Sequence, residues 1–360
     1  MDIAEILKAA VERGASDVHL VIGKPPMIRE RGKIRPLEDF ETIDAAKSQN
    51  LIFSILDETQ RKKFEAEWEL DCSFMIRDLA RFRINVFKQC HGIEAVLRII
   101  SSKIPSPEEI GLTEAVIKLT DLTSGLILVT GPTGSGKTTT LASMLDLING
   151  KRQDNIITVE DPIEFMYEHN KSVIRQREVG QQTKSFATAL RQALREDPDV
   201  ILIGEMRDLE TITCALSAAE TGHLVFGTLH TSDAPQTIDR IIDVFPAYQQ
   251  QQVRTQLAVC LKAVMSQLLV PRLDGTGRLA AREIMIVTPA ISNLIRESKT
   301  HMIYGAIDTG SKYGMISMDK CLSEYVKRGW ISIEDALARA HNQETVRSSS
   351  SGGRSVHGAY

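Results

Sequence analysis

The sequence has few cysteines, no excess of charge of either sign and no long apolar run. Its five cysteines are odd in number, scattered and without a CxxC pair, which argues against a disulfide framework or a cysteine zinc site. Lys plus Arg (43) nearly balance Asp plus Glu (47), so the whole-chain charge does not indicate direct nucleic-acid or membrane binding. No uncharged apolar run approaches the roughly 18 residues of a spanning helix, and the acidic N-terminus is unlike a secretory signal. We therefore expect a protein of the reducing cytosol that meets a membrane only through a partner.

The length of 360 residues and the apolar fraction of 42% predict two domains. Residues 1–100 have the pattern of a small α+β domain. An amphipathic helix precedes the strand DVHLVIG, a hairpin turns near Gly32, a helical stretch covers about 44–66, and RFRINVF and IEAVLRI alternate as strands. The prolines and serines that begin with SSKIPSPEE predict a linker over 101–112.

The segment 113–345 alternates apolar strands with amphipathic helices, which predicts an α/β domain with a mostly parallel sheet. Its strands include LILVTG, NIITVED, VILIGE and HLVFGTLHT. Beyond about residue 250 the pattern becomes helical, and QVRTQLAVCLKAVMSQLLV is the longest predicted helical segment. The Ser/Gly-rich residues 346–360 predict a disordered tail.

The strongest signal is GPTGSGKT, which matches GxxxxGK[ST] between a buried strand and a helix. Its glycines let backbone N–H groups turn toward phosphate, Lys137 reaches the β/γ oxygens, and Thr138 can hold Mg²⁺. A chance glycine-rich turn is the weak alternative. We expect ATP to be bound by Gly131, Pro132, Thr133, Gly134, Ser135, Gly136, Lys137, Thr138 and Thr139.

Acidic residues follow two of the apolar strands. In VILIGEMRD the position where such strands commonly carry Asp is Gly204, and Glu205 is the candidate for Mg²⁺ and its water shell. If NIITVED lies between LILVTG and VILIGE in the sheet, the acids of VEDPIE reach the phosphates, because ligands gather at the carboxyl ends of parallel strands. Glu164 is then the candidate general base or water-orienting residue, whereas Glu160 and Asp161 could equally cap a strand end.

His223 and His230 bracket the strand LVFGTL. His230 falls at its C-terminal end, where a neutral imidazole could sense the γ-phosphate. A spacing of seven residues puts the two side chains on opposite faces of a regular strand, so one shared role is not expected. A satisfied structural histidine is the alternative reading of each.

Together these motifs resemble the secretion-type ATPase superfamily, and most closely the type IV pilus retraction ATPase (PilT) family. The resemblance covers essentially residues 1–340. It rests on RGASDVHL, RFRINVF, GPTGSGKTT, IITVEDPIE, REDPDVILIGEMRDLET and AAETGHLVFGTLHT, which occur in that order.

The resemblance implies a PAS-like N-terminal domain and a RecA-like ATPase domain, assembled as a homohexamer that binds ATP between the domains. Hydrolysis would rotate the domains and turn an inner-membrane pilus platform protein to withdraw pilin. The family assigns Glu164 as catalytic, Glu205 as the Walker B acid, and His223 and His230 to a His box. Arginines of the last N-terminal strands contact phosphates in relatives and map to Arg83 and Arg98, for which solvated strand charges are the alternative.

Two departures separate this chain from its broader superfamily. The four-cysteine zinc motif and the longer N-terminal region of assembly and secretion relatives are missing, which favours the retraction branch. The family motif AIRNLIRE reads AISNLIRE here, with Ser292 in place of arginine. The alternatives therefore remain an accessory, non-retracting paralogue that acts as an ATP-dependent regulatory module, an assembly or secretion ATPase, and a DNA-translocating motor with a basic pore.

Overall fold

The computed structural model of the chain describes residues 1–30, 32–77, 79–100 and 103–351, with side chains to Ser348. The chain divides into two compact units. The N-terminal unit comprises Met1–Lys103 together with Glu164–Met166, and the C-terminal unit comprises Ile104–Ile163 and the described chain from Tyr167 onward. Of the predicted linker, the first two residues lie outside the described residues and Ile104 to Leu112 belong to the C-terminal unit.

Within the described residues, the N-terminal unit is an antiparallel sheet covered by helices. Its elements in chain order are α1 (Ile3–Glu12), β1 (Asp17–Leu20), β2 (Met27–Glu30), β3 (Lys33–Pro36), α2 (Ala45–Ser54), α3 (Glu58–Glu67), β4 (Glu69–Ile76), β5 (Ala80–Gln89) and β6 (Gly92–Ile100). The strands lie in the order β3-β2-β1-β6-β5-β4, and each neighbouring pair is antiparallel. The predicted α+β class and the hairpin near Gly32 are confirmed.

The sheet of the N-terminal unit shows the period of two that its sequence predicts. In β5, Phe82, Ile84 and Val86 are fully buried, so Arg81 and Arg83 lie on the opposite face. The stretch at 44–66 is two helices and not one. The Asp57 side chain accepts a hydrogen bond from the backbone N–H of Gln60, which caps a new helix at Glu58.

The C-terminal unit alternates strands and helices. Its elements are α4 (Glu114–Ile117), β7 (Gly125–Thr130), α5 (Lys137–Lys151), β8 (Asn155–Glu160), β9 (Val173–Glu178), α6 (Phe186–Ala193), β10 (Val200–Ile203), α7 (Leu209–Glu220), β11 (Leu224–Leu229), α8 (Ala234–Asp243), α9 (Ala247–Cys260), β12 (Leu261–Pro271), β13 (Arg278–Ile286), α10 (Pro289–Arg296), α11 (Ile303–Thr309), α12 (Met318–Lys327), α13 (Ile333–Leu337) and α14 (Gln343–Ser351).

The sheet of this unit has the strand order β13-β12-β7-β11-β10-β8-β9. All neighbours are parallel except β13, which pairs antiparallel with β12. The predicted mostly parallel α/β sheet is therefore confirmed. The expected position of NIITVED is wrong: β8 does not lie between β7 and β10, because β11 fills that position and β8 pairs with the far side of β10. Crossover connections allow strands that are distant in the chain to become neighbours, so chain order does not determine sheet order.

The predicted helical segment QVRTQLAVCLKAVMSQLLV is half strand. Helix α9 ends at Cys260, and β12 follows immediately as Leu261–Pro271. Strand β12 lies inside the sheet between β7 and β13, and most of its residues are buried, including consecutive ones that point to opposite faces. A strand buried on both faces has no alternating pattern, and its sequence cannot be distinguished from that of a buried helix.

The C-terminal part of the chain packs against the β12–β13 hairpin. Val270, Leu322, Ala336 and Val346 share one hydrophobic cluster. Because Val346 is fully buried and lies in α14, the expected disorder is wrong for 346–351; residues 352–360 lie outside the described residues. In the part of the chain that the structure describes, no helix combines the length and apolar character needed to cross a membrane.

Candidate functional site

The loop Gly131–Gly136 joins the carboxyl end of β7 to the first turn of α5. Two of its glycines are required by close packing against Gln267 of β12. A Cβ at Gly131 would lie 2.2 Å from the backbone oxygen of Gln267, and one at Gly136 would lie 2.8 Å from its Nε2. Both glycines also have positive φ, 139° and 87°, which L side chains rarely adopt. The loop thus has the backbone shape that the phosphate-binding motif predicts.

Lys137 is the first residue of α5 and is 9% exposed. Its Nζ donates to the backbone oxygens of Gly131 (2.8 Å) and Pro132 (3.1 Å), so the ammonium group lies over the loop. Thr138 and Thr139 follow in the same helical turn and are half-buried, whereas Ser135 is buried. The N-terminal turn of α5 therefore combines a cation, hydroxyl groups and the positive end of a helix dipole, all of which favour phosphate.

Glu205 and His230 follow the ends of adjacent parallel strands, β10 and β11. His230 Nε2 lies 2.9 Å from Glu205 Oε1, and Arg207 Nε bonds the same oxygen. The Glu205 side chain is 20% exposed, and that of His230 is 41% exposed. Because β11 also pairs with β7, this contact and the phosphate loop lie at the same edge of the sheet. The structure thus brings Glu205 and His230 together, as their positions after strands predict.

Gly204 occupies the position where an aspartate is common, and the structure gives the reason. A Cβ at 204 would lie 3.1 Å from the Cα of Glu160 and 3.2 Å from the backbone oxygen of Val159, both in β8. The Gly204 backbone N–H donates to that same Val159 oxygen at 2.8 Å, which holds the two strand ends together. A side chain at 204 would push them apart, so the acid is carried by Glu205.

Glu160, the last residue of β8, lies farther from the phosphate loop than the sequence predicts. Strand β8 is the third neighbour from β7, about 14 Å away at strand spacings of about 4.8 Å. Glu160 is 4% exposed and accepts hydrogen bonds from Thr158 Oγ1 (2.6 Å) and Gln176 Nε2 (3.3 Å). The bond from Gln176 joins β9 to the end of β8. Glu164 is exposed and groups with the N-terminal unit.

His223 precedes β11 and therefore lies at the amino edge of the sheet. Its Nδ1 is 2.9 Å from the backbone oxygen of Ala218 and 3.2 Å from Thr221 Oγ1, at the end of α7. The six residues of β11 lie between it and His230, a separation of about 23 Å at about 3.3 Å per residue. The structure does not bring His223 to the phosphate loop of its own chain.

Arg83 and Arg98 are directly paired on neighbouring strands β5 and β6 of the N-terminal unit. Arg83 forms an ion pair with Asp71 (2.6 Å), and Arg98 forms one with Asp17 (3.1 Å). Their side chains are 42% and 69% exposed, respectively. The two guanidinium groups thus share one exposed face of that sheet, where each has a carboxylate partner.

Three buried polar residues of β12 and β13 were not identified from the sequence. Gln267 bonds the loop and Arg282, while Glu283 accepts a hydrogen bond from the Ala234 backbone N–H at 2.9 Å. All three are at most 5% exposed. The signal that could have found them is a polar pair within a buried apolar strand, SQ in VMSQLLV and RE in AAREIMI, because such groups are costly to bury without a specific partner.

A cavity of about 640 Å³ adjoins the first turn of α5 within the C-terminal unit. Thr139 and Thr140 lie on one wall, and Leu269, Tyr325 and Trp330 provide apolar and aromatic surface on the other walls. The volume is that of a small-molecule site, and such a lining suits a planar base. A cavity beside a phosphate loop can hold the rest of a nucleotide.

Comparison with known proteins gives consistent matches over nearly the whole chain. The family model described as "Type II/IV secretion system protein" matches residues 1–352. The chain is 52% identical to the type IV pilus retraction ATPase PilT of Pseudomonas aeruginosa over 340 residues, covering 94% of this chain and 98% of the relative. It is 49% identical to a twitching motility protein of Neisseria gonorrhoeae over 321 residues, covering 89% of this chain and 86% of that protein.

The fold is similar to that of a solved structure as well. The crystal structure of the pilus retraction motor PilT with bound ADP superposes with a TM-score of 0.91 at 48% identity. The match covers 97% of this chain and 99% of the other.

Proposed function

We propose that this chain, which belongs to the type II/IV secretion system protein family, hydrolyses ATP and uses the energy to power retraction of type IV pili. The observation that carries the proposal is the meeting of the phosphate loop, Glu205 and His230 at the carboxyl ends of three neighbouring strands, β7, β11 and β10. The names of the relatives from P. aeruginosa and N. gonorrhoeae, and the ADP in the related crystal structure, support the same activity.

Each group at this edge has a distinct task in hydrolysis. The loop N–H groups and Lys137 bind and orient the phosphates, and Thr139 adds a hydroxyl group in the first turn of α5. Glu205 directs the Nε2 proton of His230, which places the imidazole where it can respond to the terminal phosphate. The cavity beside Thr140 holds the base and ribose. Most of the acceleration then comes from positioning and from charge stabilisation, as is general for phosphoryl transfer.

The donor set fits Mg²⁺. Thr138 offers a hydroxyl at the start of α5 and Glu205 a carboxylate, and oxygen atoms are the ligands this ion prefers. Thr138 would hold the ion directly and Glu205 through its water shell. When bound, the ion would offset the charge of the phosphate oxygens.

Glu164 is proposed as the residue that orients or deprotonates water, and Arg83 and Arg98 as phosphate contacts supplied by the N-terminal unit. Both arginines already have carboxylate partners, so each would exchange or share its partner when it engages phosphate. An arginine in such a role contributes on the order of 10³–10⁵ to the rate.

The motor is proposed to work as a homohexamer at the cytoplasmic face of the inner membrane, where it contacts the membrane only through a pilus platform protein. A ring requires a heterologous interface whose rotation closes. Nucleic acid is not an expected partner.

The biochemical test is ATP turnover by the purified full-length chain. We expect activity in the wild-type protein and its loss in Lys137→Ala. Lys171→Ala is the matched control, since this exposed lysine lies at the amino edge of the sheet, just before β9. Turnover at background in the wild-type protein, even with the platform protein present, would refute the enzymatic proposal and favour a regulatory module.

The cellular test is deletion of the gene, scored for surface motility and piliation. Excess pili without movement would support a retraction motor. Bald cells would instead identify an assembly motor, and unchanged pili and motility would refute both.

A further inference from the structure

Gln267 connects three elements around the phosphate loop. It lies on β12 and is 1% exposed. Its Nε2 donates to the backbone oxygen of Ser135 at 2.6 Å. Its Oε1 accepts from Thr140 Oγ1 at 2.9 Å and from Arg282 Nε at 3.0 Å. One side-chain amide therefore bonds the phosphate loop, the first turn of α5 and the neighbouring strand β13.

The backbone of Gln267 also packs against the loop. The 2.2 Å separation between its oxygen and a Cβ built at Gly131 leaves no room for a side chain there. A shift of this part of β12 must therefore displace the start of the loop. The loop's shape depends on β12 as well as on its own glycines.

Arg282 lies directly opposite Gln267 in the β12–β13 pairing and is 5% exposed. Besides its bond to Gln267, its Nη1 donates to the backbone oxygen of Gly111 at 3.1 Å. Within the described ranges, Arg282 forms no ion pair with a carboxylate. Burial accordingly lowers the pKa of its guanidinium group.

A buried cation without a carboxylate is an unfavourable choice for stability alone. Apolar residues of similar volume commonly replace buried charges without loss of stability. The presence of Arg282 is better explained by the orientation that it imposes on the Gln267 amide. With Thr140 and Arg282 both donating to Oε1, the amide of Gln267 is oriented with Nε2 toward Ser135.

We propose that Gln267 and Arg282 are positioning residues for nucleotide binding, with Gln267 holding the phosphate loop against the first turn of α5 and Arg282 fixing the orientation of the Gln267 amide. The inference rests on the proposed ATP site and deepens it. Binding of phosphate requires several loop N–H groups to converge, so an untethered loop must be ordered again at each binding event and loses affinity.

The first test compares two isosteric substitutions. Thr140→Val removes the hydroxyl bonded to Gln267. Thr120→Val removes a hydroxyl bonded to the backbone oxygen of Ile117 at 2.7 Å, and both threonines are 1% exposed. The melting temperature and the Kd for a fluorescent ADP analogue are measured on the full chain.

We expect both valine variants to lower the melting temperature by similar amounts. Only Thr140→Val should weaken ADP binding, by about fivefold, the equivalent of one lost hydrogen bond. It should also raise KM for ATP more than it lowers kcat. Equal Kd values for the two variants would overturn the proposal.

The second test is Gln267→Glu. The carboxylate keeps both acceptor contacts and gives Arg282 a counter-ion, but it cannot donate to the Ser135 oxygen. We expect a melting temperature no lower than that of the wild type and ADP binding weakened by at least about tenfold, since two acceptors then face each other.

Together the two tests distinguish a positioning role of Gln267 from an electrostatic effect of the new carboxylate. If Gln267→Glu weakens binding while Thr140→Val binds normally, the effect is electrostatic and the positioning role is wrong. The wild-type protein is measured in the same titration. Failure of the wild type to bind nucleotide would refute the proposed function, whereas normal binding by both variants would refute only this inference.

Discussion

Nε2 of His230 lies 2.9 Å from Oε1 of Glu205, and this contact joins the carboxyl ends of two adjacent strands beside the phosphate loop. In the tautomer that carries its proton on Nε2, His230 donates to the carboxylate. Arg207 bonds the same oxygen, so two donors from different segments fix the direction of the Glu205 side chain. A histidine held in this way can link the state of the phosphate site to the segment that follows β11.

The two histidines of the predicted His box should differ in their effect on turnover. His230→Asn shortens the side chain and breaks the contact with Glu205, and we expect kcat for ATP to fall by about tenfold to a hundredfold, the usual range for a lost hydrogen bond to a charged group. His223→Asn is the matched control at the opposite end of β11, and its kcat should stay within about twofold of the wild type. A large loss in the His223→Asn variant would mean that this residue acts outside its own chain's phosphate site.

Glu164→Gln tests the proposed water-orienting role. We expect ATP binding to persist while single-turnover hydrolysis slows by about 10²–10⁴, the usual contribution of a general base. Glu168→Gln, a nearby exposed glutamate, serves as the control and should hydrolyse ATP normally. Normal hydrolysis in the Glu164→Gln variant would remove Glu164 from this role.

Gly204→Ala should destabilise the protein, although glycine to alanine is often stabilising. The new Cβ would lie 3.1 Å from Glu160 Cα, a backbone atom that cannot rotate away. We expect a loss of about 1–3 kcal/mol in the free energy of unfolding, as for other overpacked sites. Gly305→Ala in α11 is the control. A Cβ there meets nothing within 4 Å, so the free energy of unfolding should rise by about 0.5–1 kcal/mol. Equal changes in the two variants, measured by urea denaturation, would contradict the packing argument.

The stability of the protein should depend on pH through Glu283. Burial, with the charges of Asp233 and Asp319 adding to it, raises the pKa of this carboxyl from near 4.5 to about 7, while the Ala234 N–H opposes the shift. Below pH 4.5 both folded and unfolded states are protonated. Between pH 4.5 and 7 the unfolded state loses its proton first, so stability falls as pH rises, by about 3 kcal/mol in total, and is flat above 7.

Glu283→Gln removes this titration. The free energy of unfolding of the wild type, relative to the variant, should therefore decrease by about 3 kcal/mol between pH 4.5 and pH 7.5. Denaturation at one protein concentration across this range measures the difference. A difference that does not change with pH would show that Glu283 titrates near its ordinary value.

Much of the fold could be predicted because the relevant signals are local. The alternation in RFRINVF correctly predicted β5, and the helix expected at the end of the phosphate loop begins at Lys137. Local sequence signals predicted the wrong type of element where burial on all sides removes the alternation of apolar and polar residues. LKAVMSQLLV was predicted as helix because a strand covered on both faces has the same composition as a buried helix. Val346, in a Ser-rich segment, was predicted as disordered although tertiary packing buries it.

The sequence by itself determined the chemistry at the ends of single elements: a phosphate loop ending at Lys137, a carboxylate after β10 and an imidazole after β11. These features depend on residues adjacent in the chain, so their spacing reveals them. Only the tertiary structure decided which of them meet. The strand order places β11 beside β7, β10 beside β11 and β8 at the third position from β7. The pairing of β12 with β7 brings Gln267 against a loop more than a hundred residues away in the chain. Such pairings arise from long-range hydrogen bonding and packing, which leave no periodic pattern in either partner.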